Sequence, residues 1–315
     1  MIFKKFLLLI VSLFVLFNTA SAAEFEMVEY SAHVKLQWLA AADIPEAQEF
    51  LKNLNKPNYF SEDNLKDFER IEKVNGVFQE INYAAVNNFI KNNSYNNVFD
   101  IACSYSPRVV NIVKDGGNYV GAELAAVAFV ADGLAKKSID KKLYDKFNYE
   151  EVPVENEELM LGASSNFKGE VCIVENGLMI YLTKDRIDSM FKNIKEILIH
   201  HGGCMITTDF AMKKYFTDTA AALYGNENAQ TLYNETKEMY EKVLEDKVID
   251  DHFTSEKQAI NYLNSMGLKV EQVPLLPSDY SLYSYKHLTD EQMERVKKLV
   301  SQKYLWVITV GGKSN

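Results

Sequence analysis

Cysteine is scarce in this 315-residue chain: there are three, Cys103, Cys172 and Cys204. The count is odd and each falls in or beside an expected core strand. That excludes a disulfide framework of the kind small secreted domains use, and the three read as buried free thiols acting as small hydrophobes. Histidine is nearly as scarce. Of five, His200 and His201 end an expected helix while His33, His252 and His287 stand alone. Neither residue type has ligand spacing, so no metal is expected. Positive charge is short too, with 34 Lys and Arg against 44 Asp and Glu and a net charge of −10. No basic stripe or polybasic run follows residue 22. The chain therefore has no electrostatic footprint for nucleic acid and no attraction to anionic membranes.

What remains is an ordinary globular composition, 47% hydrophobic and 25% charged, enough for one large core or one core with an accessory helical part. The N-terminus is a separate object. Lys4-Lys5 is followed by the apolar Phe6–Phe17 and by Ala20-Ser-Ala22, the three regions of a secretory signal peptide in order. Residues 1–22 are too short in their apolar part to persist as a transmembrane anchor. The expectation is export, with a mature chain starting at Ala23 and a net charge of −12 once Lys4 and Lys5 are lost. The alternative is a cytoplasmic protein initiated at Met27.

Residues 23–94 read as a helical cap, in which Pro45 opens one helix and Val77, Phe78, Ile81, Ala85 and Phe89 keep helical spacing. From 95 to 315, strands and helices alternate, which implies a mainly parallel sheet. Strands are expected at 97–102, 118–123, Leu159–Ala163, 171–175, up to Thr208, 268–274 and Tyr304–Val310. The polar stretch 140–157 carries no clear pattern. Thr183 is expected to cap a long helix ended by Gly202-Gly203, Ser255-Glu-Lys-Gln258 reads as a capping box, Thr289-Asp-Glu-Gln292 opens the last helix, and about 210–250 reads as a helical insertion.

The most informative segment is Asp100-Ile-Ala-Cys-Ser-Tyr-Ser-Pro-Arg108 with Glu123, 23 residues after Asp100. A strand leads into a turn of small residues and a helix capped by Ser106 with Pro107 first, and a second strand ends in an acid. A nucleotide-binding βαβ unit places an acid at this distance to grip ribose hydroxyls. The turn has Ala102, Ser104 and Ser106 where a pyrophosphate would need glycine, which suits a ligand without phosphate. A plain α/β core gives similar spacing.

The segment resembles the first motif of class I S-adenosylmethionine-dependent methyltransferases, and most closely their leucine carboxyl methyltransferase-like branch. Val174-Glu-Asn-Gly-Leu-Met-Ile-Tyr-Leu-Thr183 is similar to that branch's strand-four signature, and His201-Gly-Gly-Cys-Met-Ile-Thr-Thr-Asp-Phe210 to its strand-five segment. Tyr30-Ser-Ala-His33 is similar to its N-terminal element. Two departures stand out: the first motif's glycines are replaced, and Asn176 occupies the place of the acid before Gly177, with Glu175 one residue earlier.

The resemblance implies a doubly wound, mainly parallel seven-stranded methyltransferase sheet with an N-terminal helical extension and a helical insertion before the last strands. It implies S-adenosylmethionine as cofactor, held by Asp100, Ala102, Ser104, Ser106, Arg108 and Glu123, by Ser165 and Asn166 after strand three, and by Glu175 and Asn176 after strand four. Arg108 would pair with the methionyl carboxylate. Tyr181, Glu175 and His33 are the catalytic candidates. The expected activity is O-methylation of a carboxylate on a small molecule or peptide, with no metal, nucleic acid or stable membrane anchor. The alternative is an exported, catalytically silent domain of the same fold acting as a binding or interaction module.

Overall fold

The computed structural model describes residues 29–60, 67–244 and 252–311. The signal-peptide segment, Ala23 and Met27 lie outside the described residues. Three helices come first: α1 over 29–41, α2 Pro45–Leu54 and α3 Phe68–Asn92. In α3, Ile71, Val74, Phe78, Ile81 and Ala85 recur every three or four residues and are all buried, the stripe an amphipathic helix presents to a core.

The sheet follows: β1 Asn97–Ile101, β2 Asn118–Glu123, β3 Phe147–Glu151, β4 Val171–Glu175, β5 Gly203–Thr207, β6 Leu268–Pro274 and β7 Tyr304–Val310. Its order is β3-β2-β1-β4-β5-β7-β6. The first five strands are parallel, and β7 runs antiparallel between β5 and β6. The helices are α4 Arg108–Lys114, α5 Ala125–Ser138, α6 Glu157–Ser164, α7 Lys184–His201, α8 Met212–Tyr224, α9 Asn226–Leu244, α10 Glu256–Ser265 and α11 Asp290–Val300. Two apolar cores lie on the two faces of the sheet. This is why β1 and β4 are buried at every position and, apart from Asn97, Asp100 and Glu175, are apolar throughout. β5 can start against β4 because Gly203 has no side chain; a Cβ there would sit 2.1 Å from the Val171 carbonyl oxygen.

One strand assignment is corrected. Leu159–Ala163 is not strand three but lies within α6, which Asn156 caps by accepting from the Leu159 amide while Glu157 and Glu158 favour its first turn. The real β3 lies in the polar stretch 147–151. It pairs with β2 alone at the sheet edge, and an edge strand needs no continuous apolar run. Capping departs in detail as well. Thr289 makes the full box with Gln292, whereas Ser255 accepts from Gln258 but the Gln258 side chain turns to Thr254. Thr183 sits at the N-cap of α7 without a side-chain bond.

The segment expected to be an insertion forms the α8–α9 hairpin over 212–244, turned at Gly225. It lies on the N-terminal helices: Phe78 of α3 packs edge-on against Tyr215 and Phe216 of α8. Tyr240 of α9 accepts from the Trp38 indole of α1 at 3.3 Å. All three cysteines are free and buried, and Cys172 and Cys204 are direct register partners on β4 and β5.

Candidate functional site

The turn after β1 has an unusual backbone. Ala102 (φ 48°) and Ser104 (φ 54°) are both left-handed although neither is glycine. Each such residue costs on the order of 1–3 kcal/mol, and strain of this kind collects at ligand sites. The turn is closed by the Cys103 amide donating to Ala122 and the Ser106 amide to Cys103. The helix begins one residue later than expected, at Arg108, whose amide approaches Ser106 Oγ at 3.4 Å.

Glu123 ends β2 facing this turn. Its Oε2 accepts from the Ser104 amide at 2.8 Å and its Oε1 from the Leu124 amide at 2.9 Å. Burial pushes its carboxyl above the usual range, against the pull of those two amides.

Asp100 and Arg108 are placed with each other. Arg108 Nη1 donates to Asp100 Oδ2 at 2.5 Å, the Tyr119 hydroxyl donates to the same oxygen at 3.0 Å, and Arg108 Nε donates to Asn87 at 2.8 Å. Both side chains are buried, and the guanidinium lies over the Tyr83 ring. The pair docks α4 onto β1 and α3, leaving Arg108 engaged beneath the turn.

A cation the sequence reading missed faces the opening instead. Lys35 Nζ donates to the Asn176 carbonyl at 2.8 Å. Burial lowers its pKa, while Asp100, Asp209 and Glu175 draw it back up. Ser31 and Lys35, one turn apart on α1, both line the cleft. His33, two residues from either, points to the opposite face of the helix. There its ring lies 4.8 Å from that of Tyr59. Both its nitrogens are buried without a partner, and burial holds its pKa down at about 4. Spacing within Ser31-Ala-His-Val-Lys35 was the available signal, because residues i and i+4 share a helix face.

After β4 the displaced acid turns inward. Glu175 is fully buried, accepts from Thr207 Oγ1 and the Leu178 amide, and its carboxyl is pushed well up by burial and by neighbouring Asp209. Asp209 accepts from the amides of Gly177, Leu178 and Met179. The two carboxyls thus hold the 176–179 turn from below, while Asn176 and Tyr181 line the cleft. Ser165 and Asn166 are elsewhere. They are exposed just past α6, before β4 begins, hence at the amino edge of the parallel sheet. With β3 at 147–151, the segment leaving the carboxyl edge is 152–156, and Val152 donates to the Glu123 carbonyl.

The cleft these elements enclose runs from Ser104 and Asn176 up to α3, α8 and α9. It comprises about 860 Å³ of atom-free space, its open mouth included. Among the described residues Lys35, Lys213 and Lys237 line it and no carboxylate or histidine does; Glu123, which holds the Ser104 amide, is not among the lining residues. Among the described residues no cluster of metal-ligating side chains is present, and no helix is long and apolar enough to cross a membrane.

No protein-family profile matches the chain, and no curated protein matches it. Among solved structures it is similar to the methyltransferase domain of bacterial CtHen1-C, with 14% identity, a TM-score of 0.47, and 75% of this chain and 100% of that one covered. It is also similar to magnesium protoporphyrin IX methyltransferase of Synechocystis PCC 6803 with bound SAM (8%, TM-score 0.46, 84% and 91%). A third is geranyl diphosphate C-methyltransferase from Streptomyces coelicolor A3(2), in complex with Mg2+, geranyl diphosphate and S-adenosyl-L-homocysteine (12%, TM-score 0.38, 71% and 75%). At these values the likeness is one of chain trace.

Proposed function

We propose that this chain is an S-adenosylmethionine-dependent O-methyltransferase whose acceptor oxygen belongs to a carboxylate. The observation that carries this reading is the turn after β1, where Ala102 and Ser104 are held left-handed opposite the buried acid Glu123. Ser94, in the connection from α3 to β1, is left-handed too; what supports a ligand here is that two such residues lie within three positions opposite a buried acid. The donor set fits the cofactor. Glu123 spends one lone pair of each oxygen on an amide and keeps the others for a vicinal diol. Lys35 is the cation positioned for a carboxylate, the role the resemblance gave to Arg108. The leucine carboxyl methyltransferase-like resemblance supports the same assignment from the sequence side.

S-adenosylmethionine, when bound, supplies a methyl group already electrophilic on its sulfonium. What the chain must add is alignment and exclusion of water. Neither acid–base candidate from the sequence serves as a base at the cleft, because His33 faces away and Glu175 is tied beneath the 176–179 turn. An acceptor that arrives ionised needs none, and a carboxylate does so at neutral pH. Incubation with labelled methyl donor and cell extract tests the reading. A methyl ester gives label released as methanol in mild base; label stable to base would reject carboxyl methylation. Cofactor binding without any labelled product would favour the catalytically silent module.

A further inference from the structure

We infer that a second groove, at the amino edge of the sheet, is a binding site for a neutral oligosaccharide; it is independent of the methyltransferase reading above. Its place, its surface and the way one tyrosine is mounted in it lead there.

The groove lies between the last turns of α3, the start of α2, the end of α4 and the segment that carries Tyr280 and Tyr283. Asn96 and Gly117 line it and directly precede β1 and β2, so it opens where the parallel strands begin. It comprises about 1770 Å³ of atom-free space, its open mouth included, about twice the 860 Å³ of the cleft at the carboxyl edge. That is room for a ligand of several rings. The two sites share no lining residue, and no described residue bordering an undescribed segment lines the groove.

Its surface is phenol and amide, with four tyrosines and five asparagines on its walls. A primary amide both donates and accepts hydrogen bonds, as a sugar hydroxyl does, and a phenol ring offers a flat face to the C–H side of a sugar with a polar tip beside it. Asn96 and Asn111 make no side-chain hydrogen bond among the described residues, which leaves their amides for a ligand. Asn88 and Asn92, bonded to each other at 3.3 Å on the last turns of α3, are weaker helix formers than the lysine or glutamate that suits a solvated helix end. The aliphatic side chains on the walls, Ile44, Ala84, Ile90 and Ile112, are at most 8% exposed. The groove thus lacks the apolar anchor on which a protein partner would centre. β1 and β2 are inner strands, so a peptide cannot add to the sheet here.

Tyr283 stands 53% exposed on this groove, yet its backbone is held from within the molecule. Glu80 of α3, only 2% exposed, accepts from the Tyr283 amide with one carboxyl oxygen and from the Ser284 amide, at 3.0 Å, with the other. Burial pushes the Glu80 carboxyl up against the pull of those bonds. A costly buried acid is therefore committed to fixing the backbone beneath an exposed ring. A ring mounted in advance loses less freedom when a ligand stacks on it. Tyr95 is braced as well, its ring stacked on Phe89 at 6.1 Å.

The test uses the full chain. Cellohexaose, maltohexaose, mannohexaose and chitohexaose, their monosaccharides, and an end-blocked hexapeptide of serine and asparagine are titrated by calorimetry. Hydrogen exchange is then followed with the tightest ligand bound. At least one hexasaccharide should bind saturably, and at least about tenfold more tightly than its monosaccharide or the peptide. Its protection should fall on residues 87–96 and 280–284. Tyr283→Ala combined with Asn111→Ala should weaken that binding at least about tenfold and leave the affinity for S-adenosylhomocysteine within about twofold. Should the double variant not fold, Asn96→Ala serves, with the same expected split. Absence of saturable binding by all four hexasaccharides, preference for the peptide, or protection centred on the cleft at the carboxyl edge overturns the inference, and the methyltransferase reading stands in each case.

Discussion

The carboxylate of Glu123 reaches across the carboxyl edge of the sheet to accept a hydrogen bond from the Ser104 amide at 2.8 Å. One interaction joins the acid at the end of β2 to the strained turn at the end of β1. The same acid is the proposed grip on the cofactor's ribose. Glu123→Ala is expected to weaken S-adenosylmethionine binding by roughly 1.5–3 kcal/mol, about tenfold to a hundred-and-fifty-fold, through loss of charge-assisted hydrogen bonds. Calorimetry on the two proteins checks this, and equal affinities would move the site elsewhere.

The left-handed turn residues make a separate prediction. Glycine has no steric penalty at positive φ but costs backbone entropy on folding, so Ala102→Gly and Ser104→Gly should be neutral to stabilising by about 1 kcal/mol. A β-branched residue is the opposite case, and Ser104→Val should destabilise by about 2 kcal/mol or more. Urea unfolding of the three variants checks the order; a stabilising valine would mean the turn is not left-handed in solution.

The Asp100–Arg108 pair is read as structural. Arg108→Ala leaves a buried carboxylate without its cation and should cost about 3–5 kcal/mol of stability. Asp100→Asn combined with Arg108→Met should recover much of that, because neither residue is then charged. If Arg108 instead served the cofactor, Arg108→Ala would lower cofactor affinity while leaving the unfolding midpoint in place.

His33 contributes one part of the pH response on the acid side. Its pKa is held near 4 by burial, against about 6.5 when unfolded. The unfolded chain therefore binds the extra proton across that window. The stability contributed is complete above about pH 6.5 and is lost as pH falls through about 4, on the order of 3 kcal/mol in all. His33→Gln should flatten this part of the stability–pH profile relative to wild type, as read by unfolding at a series of pH values. An unchanged slope would show that the ring is solvated.

The central strands were legible in sequence because burial on both faces leaves mostly apolar runs, as in Val171–Val174 and in Val98–Ile101, where Asp100 is the one polar residue. β3 was not, since an edge strand such as Phe147–Glu151 needs only occasional apolar residues, and α6 then offered the more apolar stretch. That single misplacement put Ser165 and Asn166 on the wrong edge of the sheet. The small-residue turn and Glu123 could be read from spacing. The partnership of Asp100 with Arg108 could not, because it depends on where α4 docks. Lys35 was missed for a related reason: nothing local says that α1 lies across the end of β4, and only the packed helix brings that ammonium to the Asn176 carbonyl.

The most direct measurement is a calorimetric titration of the folded wild-type chain with S-adenosylhomocysteine. The account predicts saturable binding of one molecule per chain, weakened in Glu123→Ala. A folded chain that shows no binding would contradict it.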